Sequence, residues 1–217
     1  MAMTLVVQEL GRIEYGRALA LQQELLAARL AEHVPDQLLL LEHDPVYTLG
    51  RGADAADLCG ADERLGVPVF RVGRGGGVTF HGPGQLVAYP IIKLGSGRRD
   101  VHRYMRCLED VVIATCSEFG VVAERCPDTT GVWVGEAKIA SLGVGLRRWV
   151  TYHGLALNVA TDLRFFRAIV PCRMPALRVT SLAELLAVVP SLPEVGAVLA
   201  RRFRETFETS QPGEAAA

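Results

Sequence analysis

Twelve residues constrain this chain more than any others: Arg74-Gly75-Gly76-Gly77-Val78-Thr79-Phe80-His81-Gly82-Pro83-Gly84-Gln85. Six of the twelve are glycine or proline, which excludes a helix and argues against a regular strand interior. Strand-like runs flank the stretch at 68–72 and 86–92. Glycines let a backbone come close to a ligand, and here an arginine and a histidine frame them. The stretch therefore reads as a binding loop held between two strands, which points to an enzyme. An ordinary glycine-rich turn is the bland alternative. A phosphate-binding P-loop is excluded, because the Gly-Lys-Ser/Thr ending is missing and Pro83-Gly84 stands where a helix should start. A dinucleotide fingerprint also fails, because a strand follows the glycines instead of a helix.

The rest of the chain suits one α+β domain. With 217 residues, half of them apolar, it can bury a core that needs neither disulfides nor metal. We expect a single catalytic domain over 1–208 and a frayed tail over 209–217. A net charge of −1 argues against a nucleic-acid binder. No apolar run reaches the ~20 residues of a membrane helix, and no leader pattern opens the chain, so a cytoplasmic protein with no membrane partner is expected. Five cysteines without CxxC spacing fit neither a disulfide framework nor a zinc ribbon.

Apolar periodicity predicts strands at 4–10, 37–42 and 46–49 and a helix over 15–30. Residues 50–67 read as an irregular connection with one short helical piece. Asp100 is placed to cap a helix running to about Phe119, which Gly120 ends. Strands are expected at 121–125, 131–134, 138–147 and 150–159, the last three as a meander. Ser181-x-x-Glu184 and Ser191-x-x-Glu194 both have capping-box spacing before helices. Strands in mixed order with helices between and after them imply a mixed, largely antiparallel sheet packed with helices.

Only two of the 23 basic residues are lysines, Lys93 and Lys138; the rest are arginines, which stay protonated. A lysine kept in so arginine-biased a chain is a candidate for a task that needs an amine. The alternative for Lys138 is a solvated strand edge. In Tyr152-His153-Gly154-Leu155-Ala156-Leu157-Asn158, the alternation around Gly154 suggests a strand whose backbone lies close to something, a ligand among the candidates. Cys172 follows Pro171 and precedes Arg173, an electropositive loop setting that would stabilise a thiolate. A nucleophilic cysteine needs a proton acceptor or a positive neighbour, and His81, His153 and Lys138 are all open candidates. Cys116, on the apolar stripe of its helix, reads as core packing.

Taken together, these segments resemble the lipoyl(octanoyl) transferase family. The resemblance is carried by Arg74-Gly75-Gly76, Val78-Thr79, His81-Gly82-Pro83-Gly84-Gln85-Leu86, Tyr89-Pro90, Lys138-Ile139, Ser141-Leu142-Gly143, His153 to Asn158 and Pro171-Cys172. It implies the fold of lipoate and biotin protein ligases. It also implies transfer of an octanoyl group from octanoyl-acyl carrier protein to a lysine of lipoyl domains, those of 2-oxoacid dehydrogenase and glycine cleavage complexes, with no cofactor. By the same resemblance Cys172 matches the acyl-accepting nucleophile, and Lys138 matches the residue that lowers its pKa and moves protons. Arg74, Gly75, Gly76, Gly77, Val78, Thr79, Phe80 and His81 match the walls of the acyl pocket, with Ser141, Leu142, Gly143, His153, Gly154, Leu155 and Ala156. Two residues depart from the pattern. Phe80 stands where tyrosine or tryptophan is usual, and Arg173 where glycine is usual, which puts an oxyanion role for the amide of residue 173 in doubt. The nearest rival is an ATP-dependent lipoate or biotin ligase; a rival of another kind is a non-catalytic module that binds carrier or lipoyl domains.

Overall fold

Leu38, Leu39, Leu40 and Leu41 are all buried, yet they serve two different cores. A strand points successive side chains to opposite faces, so an unbroken apolar run means a sheet covered on both sides. The computed structural model describes residues 4–127, 129–170 and 177–209. Its strands are β1 (Leu5–Ile13), β2 (Asp36–His43), β3 (Val46–Leu49), β4 (Val69–Arg71), β5 (Val78–His81), β6 (Gln85–Ile91), β7 (Glu124–Cys126), β8 (Thr129–Val134), β9 (Ala137–Arg147), β10 (Val150–Asn158) and β11 (Arg178–Val179). Its α-helices are α1 (Tyr15–Leu30), α2 (Ala61–Leu65), α3 (Val101–Glu118), α4 (Arg164–Arg167), α5 (Leu182–Leu185) and α6 (Leu192–Thr209).

Among the described residues the main sheet runs β1-β2-β6-β10-β9-β8-β7, with β11 added beside β9. The β1–β2 and β9–β11 pairs are parallel and the others antiparallel, so the sheet is mixed and largely antiparallel, as expected. Leu38 and Leu40 face the layer of α3 and α6, where Leu108, Val112, Val195, Leu199 and Phe203 are buried. Leu39 and Leu41 face α1, against Ala18 and Leu26. A second, three-stranded sheet, β4-β3-β5, packs Tyr47, Leu49, Val78 and Phe80 against Leu58, Leu163, Phe166 and Ile169.

Local chemistry explains most element ends. Asp100 accepts the Arg103 amide at 3.0 Å and caps α3, and Gly120 follows that helix with φ +76. The Ser191–Glu194 box forms: Glu194 Oε2 accepts the Ser191 amide at 2.7 Å, and Ser191 Oγ accepts the Glu194 amide at 3.4 Å. The Ser181–Glu184 box does not. Ser181 is buried and its side chain makes no cap bond, and the Thr180 hydroxyl takes Glu184 Oε2 instead, at 3.1 Å. Residues 78–81 also differ from the sequence reading. They form β5 inside the glycine-rich stretch, because Val-Thr-Phe-His suits a strand and β3 supplies the partner. Residues 121–123 stay outside β7. Cys116 lies in the core, where burial pushes its thiol pKa up to about 12. Among the described residues no helix is long and apolar enough to cross a membrane. The tail from 210 onward lies outside the described residues.

Candidate active site

The glycine loop does not hang free between its strands; it is stitched to both sheets. Gly75 N–H donates to Val144 O of β9 at 3.0 Å, and Gly50 N–H, just after β3, donates to Gly77 O at 3.2 Å. Arg74 reinforces the seam. Its Nη2 donates to Thr48 O at 2.7 Å and Thr48 Oγ1 at 2.8 Å, and its Nη1 to Gly75 O at 2.9 Å. Gly143 of β9 permits the approach, since a Cβ there would stand 3.0 Å from both Gly75 O and Arg74 Cδ.

A cavity of about 710 Å³ opens between this loop and β9 and β10, in the size range of small-molecule sites. Every described residue expected at the site lines it, except Phe80. Phe80 points the other way, into the second core, stacked on Phe165 with ring centroids 4.4 Å apart. The alternation of β5 is the reason, since Thr79 and His81 take the cavity face. Cys172 and Arg173 lie outside the described residues. Gly154 lines the cavity, but its missing side chain makes room for β6: a Cβ there would overlap Ala88 O and sit 2.6 Å from Pro90 Cδ.

Lys138 is buried on β9, opposite Trp133 of β8. Its Nζ donates to Thr130 O at 2.8 Å and lies 5.6 Å from the centre of the Trp133 ring. The β8–β9 register shifts between Val132 and Trp133, and Gly131 takes φ +139, a conformation side-chain-bearing residues avoid. A Cβ on Gly131 would overlap the lysine's Cε. The bulge and the glycine together give the amine its place.

Burial lowers the pKa of His81 and His153, which line the cavity, and of His43, whose ring lies 5.8 Å from that of His81. Burial, with Arg74 and His43 adding to it, holds His81 well below the ordinary histidine pKa. His81 Nδ1 lies 2.8 Å from Gln85 Oε1, an acceptor, so Nδ1 carries the proton. Gln85 Nε2 in turn donates to Asn158 Oδ1 at 2.9 Å, and Asn158 Nδ2 to Thr180 O at 3.0 Å. His153 has φ +56 and donates its backbone N–H to Gln22 Oε1 at 2.9 Å. Burial, then the nearby Arg74 charge, push its pKa down to about 4. His43 Nδ1 faces Ile13 O at 2.9 Å, so its Nε2 accepts from the Tyr89 hydroxyl at 2.8 Å. Neither His81 nor His153 is therefore set up as a cation at neutral pH, and among the described residues Arg51, Arg74 and Lys138 are the basic side chains that line this space.

The sequence reading did not single out Tyr15, His43 or Thr48. Tyr15 stacks on His81 at 6.1 Å and tilts against His43 at 5.0 Å, a meeting of α1, β2 and β5 that no local spacing signals. Gln85 and Asn158 were legible only as parts of motifs. Beyond Ala140 the outer edge of β9 has no strand partner among the described residues, and Val144 O on that edge is taken by Gly75. By antiparallel alternation the peptide groups of Leu142 face the same edge, into the cavity wall.

Residues 14–204 match the family model of the lipoyl protein ligase A/B catalytic domain. An octanoyltransferase from Solibacter usitatus is 50% identical over 205 residues, spanning 93% of this chain and 92% of that protein. The chain belongs to the lipoyl protein ligase A/B family, among its octanoyltransferases. The family fold extends to solved structures of low identity. A bipartite lipoate protein ligase from Thermoplasma acidophilum, in a study that includes its E2 lipoyl domain, superposes with a TM-score of 0.71 at 21% identity, covering 95% of this chain and 84% of that one. Biotin protein ligase from Aquifex aeolicus gives 0.56 at 13% identity, covering 96% and 71%.

Proposed function

We propose that this acyltransferase moves an octanoyl group from octanoyl-acyl carrier protein to a lysine of lipoyl domains, through an acyl intermediate on Cys172. In the first half, the Cys172 thiolate attacks the carrier thioester. A new C–S bond forms at Cys172, the C–S bond to the carrier breaks, and the carrier thiolate leaves with the proton that the Lys138 ammonium gives up, which leaves Lys138 neutral. In the second half, the neutral ε-amine of the incoming lysine attacks the acyl-enzyme. A C–N bond forms, the Cys172 thiolate leaves, and the proton released by the amine passes to Lys138. Leu142 N–H, on the open edge of β9, is the donor we assign to the developing oxyanion. The glycine-loop wall and the Ser141–Gly143 and Gly154–Ala156 strands would enclose the alkyl chain.

The observation that supports this most is a buried primary amine, on a strand bulge, in the wall of a cavity whose partner wall is the glycine loop. The donor arrives already activated, so the reaction requires no ATP. We place the enzyme in the cytoplasm, where carrier and acceptor domains would meet it. Intact-mass spectrometry after mixing with octanoyl-carrier protein tests the reading. The wild type should gain one octanoyl group, and Cys172→Ser should not form the thioester. Acylation of a lipoyl domain that instead demands free octanoate and ATP would select the ligase reading.

A further inference from the structure

One peptide group connects Lys138 to a buried carboxylate that lines no part of the cavity. Lys138 Nζ donates to the carbonyl oxygen of Thr130 at 2.8 Å. The N–H of that same peptide, on Gly131, donates to Glu109 Oε1 at 3.1 Å. Glu109 comes from α3, 22 residues earlier in the chain, and is 1% exposed. We propose that Glu109 is a positioning residue that sets the location and basicity of the Lys138 amine through the Thr130–Gly131 peptide. The inference rests on the role given to Lys138 above.

The physical argument has two parts. A carboxylate at the N–H end of a peptide draws that dipole into line and makes its carbonyl oxygen a stronger acceptor, because hydrogen bonds in series polarise one another where water is excluded. The negative charge also favours the ammonium form of the lysine. Glu109 does not act alone. Arg106 Nη1 reaches its Oε2 at 2.8 Å and Arg125 Nε at 3.1 Å, and Arg125 also pairs with Asp110. These guanidiniums are partly exposed, so they satisfy the buried carboxylate and remain solvated themselves. Among the described residues beside Lys138 along the strands, Arg178 of β11 and Glu136 of the β8–β9 turn pair with each other at 3.4 Å and are exposed, where water screens them. Trp133 contributes its ring face. Among the described residues Glu109 is thus a buried carboxylate coupled to the amine, and a buried carboxylate bound to two arginines would be an odd way to secure a strand that needed only a backbone partner.

The chain's two lysines make a direct test practical. Protein labelled at lysine Cε and Nζ gives two side-chain signals, and Lys93→Arg leaves Lys138 alone. Lys93 pairs with Glu32, far from this arrangement in its chemistry and in its role. Glu109→Gln keeps an acceptor for Gly131 N–H and removes the charge. The Lys138 pKa, read by NMR titration, should fall by about one unit, as expected for loss of one nearby opposite charge. Single-turnover transfer should slow roughly tenfold or more with KM little changed, because Glu109 touches no substrate. Arg125→Gln removes a cation and should shift the Lys138 pKa the other way. An unmoved lysine pKa in folded Glu109→Gln would overturn the inference; if that variant does not fold, an unmoved pKa in Arg125→Gln overturns it. The titration needs no turnover, so an inactive wild type would sink the transferase reading while leaving this coupling to be judged on its own.

Discussion

Gly131 and Lys138 divide one volume between them: the space that a side chain on the glycine would fill holds the lysine's Cε and ends near its Nζ. Neighbouring strands ordinarily give each residue its own room. Here the register shift between β8 and β9 brings the Gly131 backbone over the lysine stem, so the amine is held by a backbone that only glycine tolerates.

Gly131→Ala should therefore act on chemistry as well as stability. The φ of +139 adds strain of about 1–3 kcal/mol. The methyl group would also drive Lys138 off Thr130 and lower the transfer rate about a hundredfold. Gly135→Ala is the matched control, since its φ is +56 but nothing lies within 4 Å of an added Cβ. Thermal melts and single-turnover rates for the pair separate strain from displacement, and equal rates in both variants would refute the assignment.

Lys138→Arg keeps a positive charge in the cavity and removes titratability. Transfer should fall by about 10²–10⁴-fold, the contribution of a positioned proton acceptor. Rates near normal at neutral pH would show that the lysine serves only to hold the strands.

Arg74→Lys should loosen the seam between loop and sheets. A lysine cannot reproduce three simultaneous donations from a planar fork to Thr48 O, Thr48 Oγ1 and Gly75 O. A loss of about 2–3 kcal/mol in denaturant unfolding is expected, with a raised KM for the acyl donor.

Stability should decline in mild acid. His153 is held near pKa 4 in the folded state, against 6.5 ordinarily, and His43 and His81 are also depressed by burial. The unfolded chain therefore takes up these protons first. Stability from keeping His153 neutral is fully present above about pH 6.5 and is lost as pH falls toward 4, on the order of 3 kcal/mol from this residue. His153→Asn, which tolerates the left-handed backbone, should flatten the melting-temperature profile between those limits.

Arg147, Arg148, Arg164, Arg167 and Arg178 are exposed on segments adjoining the cavity walls. An acidic carrier or lipoyl domain would be steered by them. The kcat/KM for carrier protein should fall as ionic strength rises from 0.05 to 0.3 M, a rough range chosen to span strong and weak screening. A flat profile would remove the steering role.

Periodicity and turn chemistry were legible along the chain, because they depend on neighbours within a few residues. The covered leucine strand, the α3 and α6 caps, the β9–β10 hairpin and the glycine stretch all announced themselves in that way. The local signals failed where a tertiary partner took over. Ser181 lost its glutamate to Thr180, β5 formed within the glycines because β3 was there to pair with it, and Phe80 was turned away from the cavity by the pleat. The meeting of Lys138 and the glycine loop around one cavity, the burial that lowers the pKa of three histidines, and the path from Glu109 through one peptide to the amine appear only once the elements pack together. Burial and distance set charge and hydrogen bonding, and neither is a property of a residue's position along the chain.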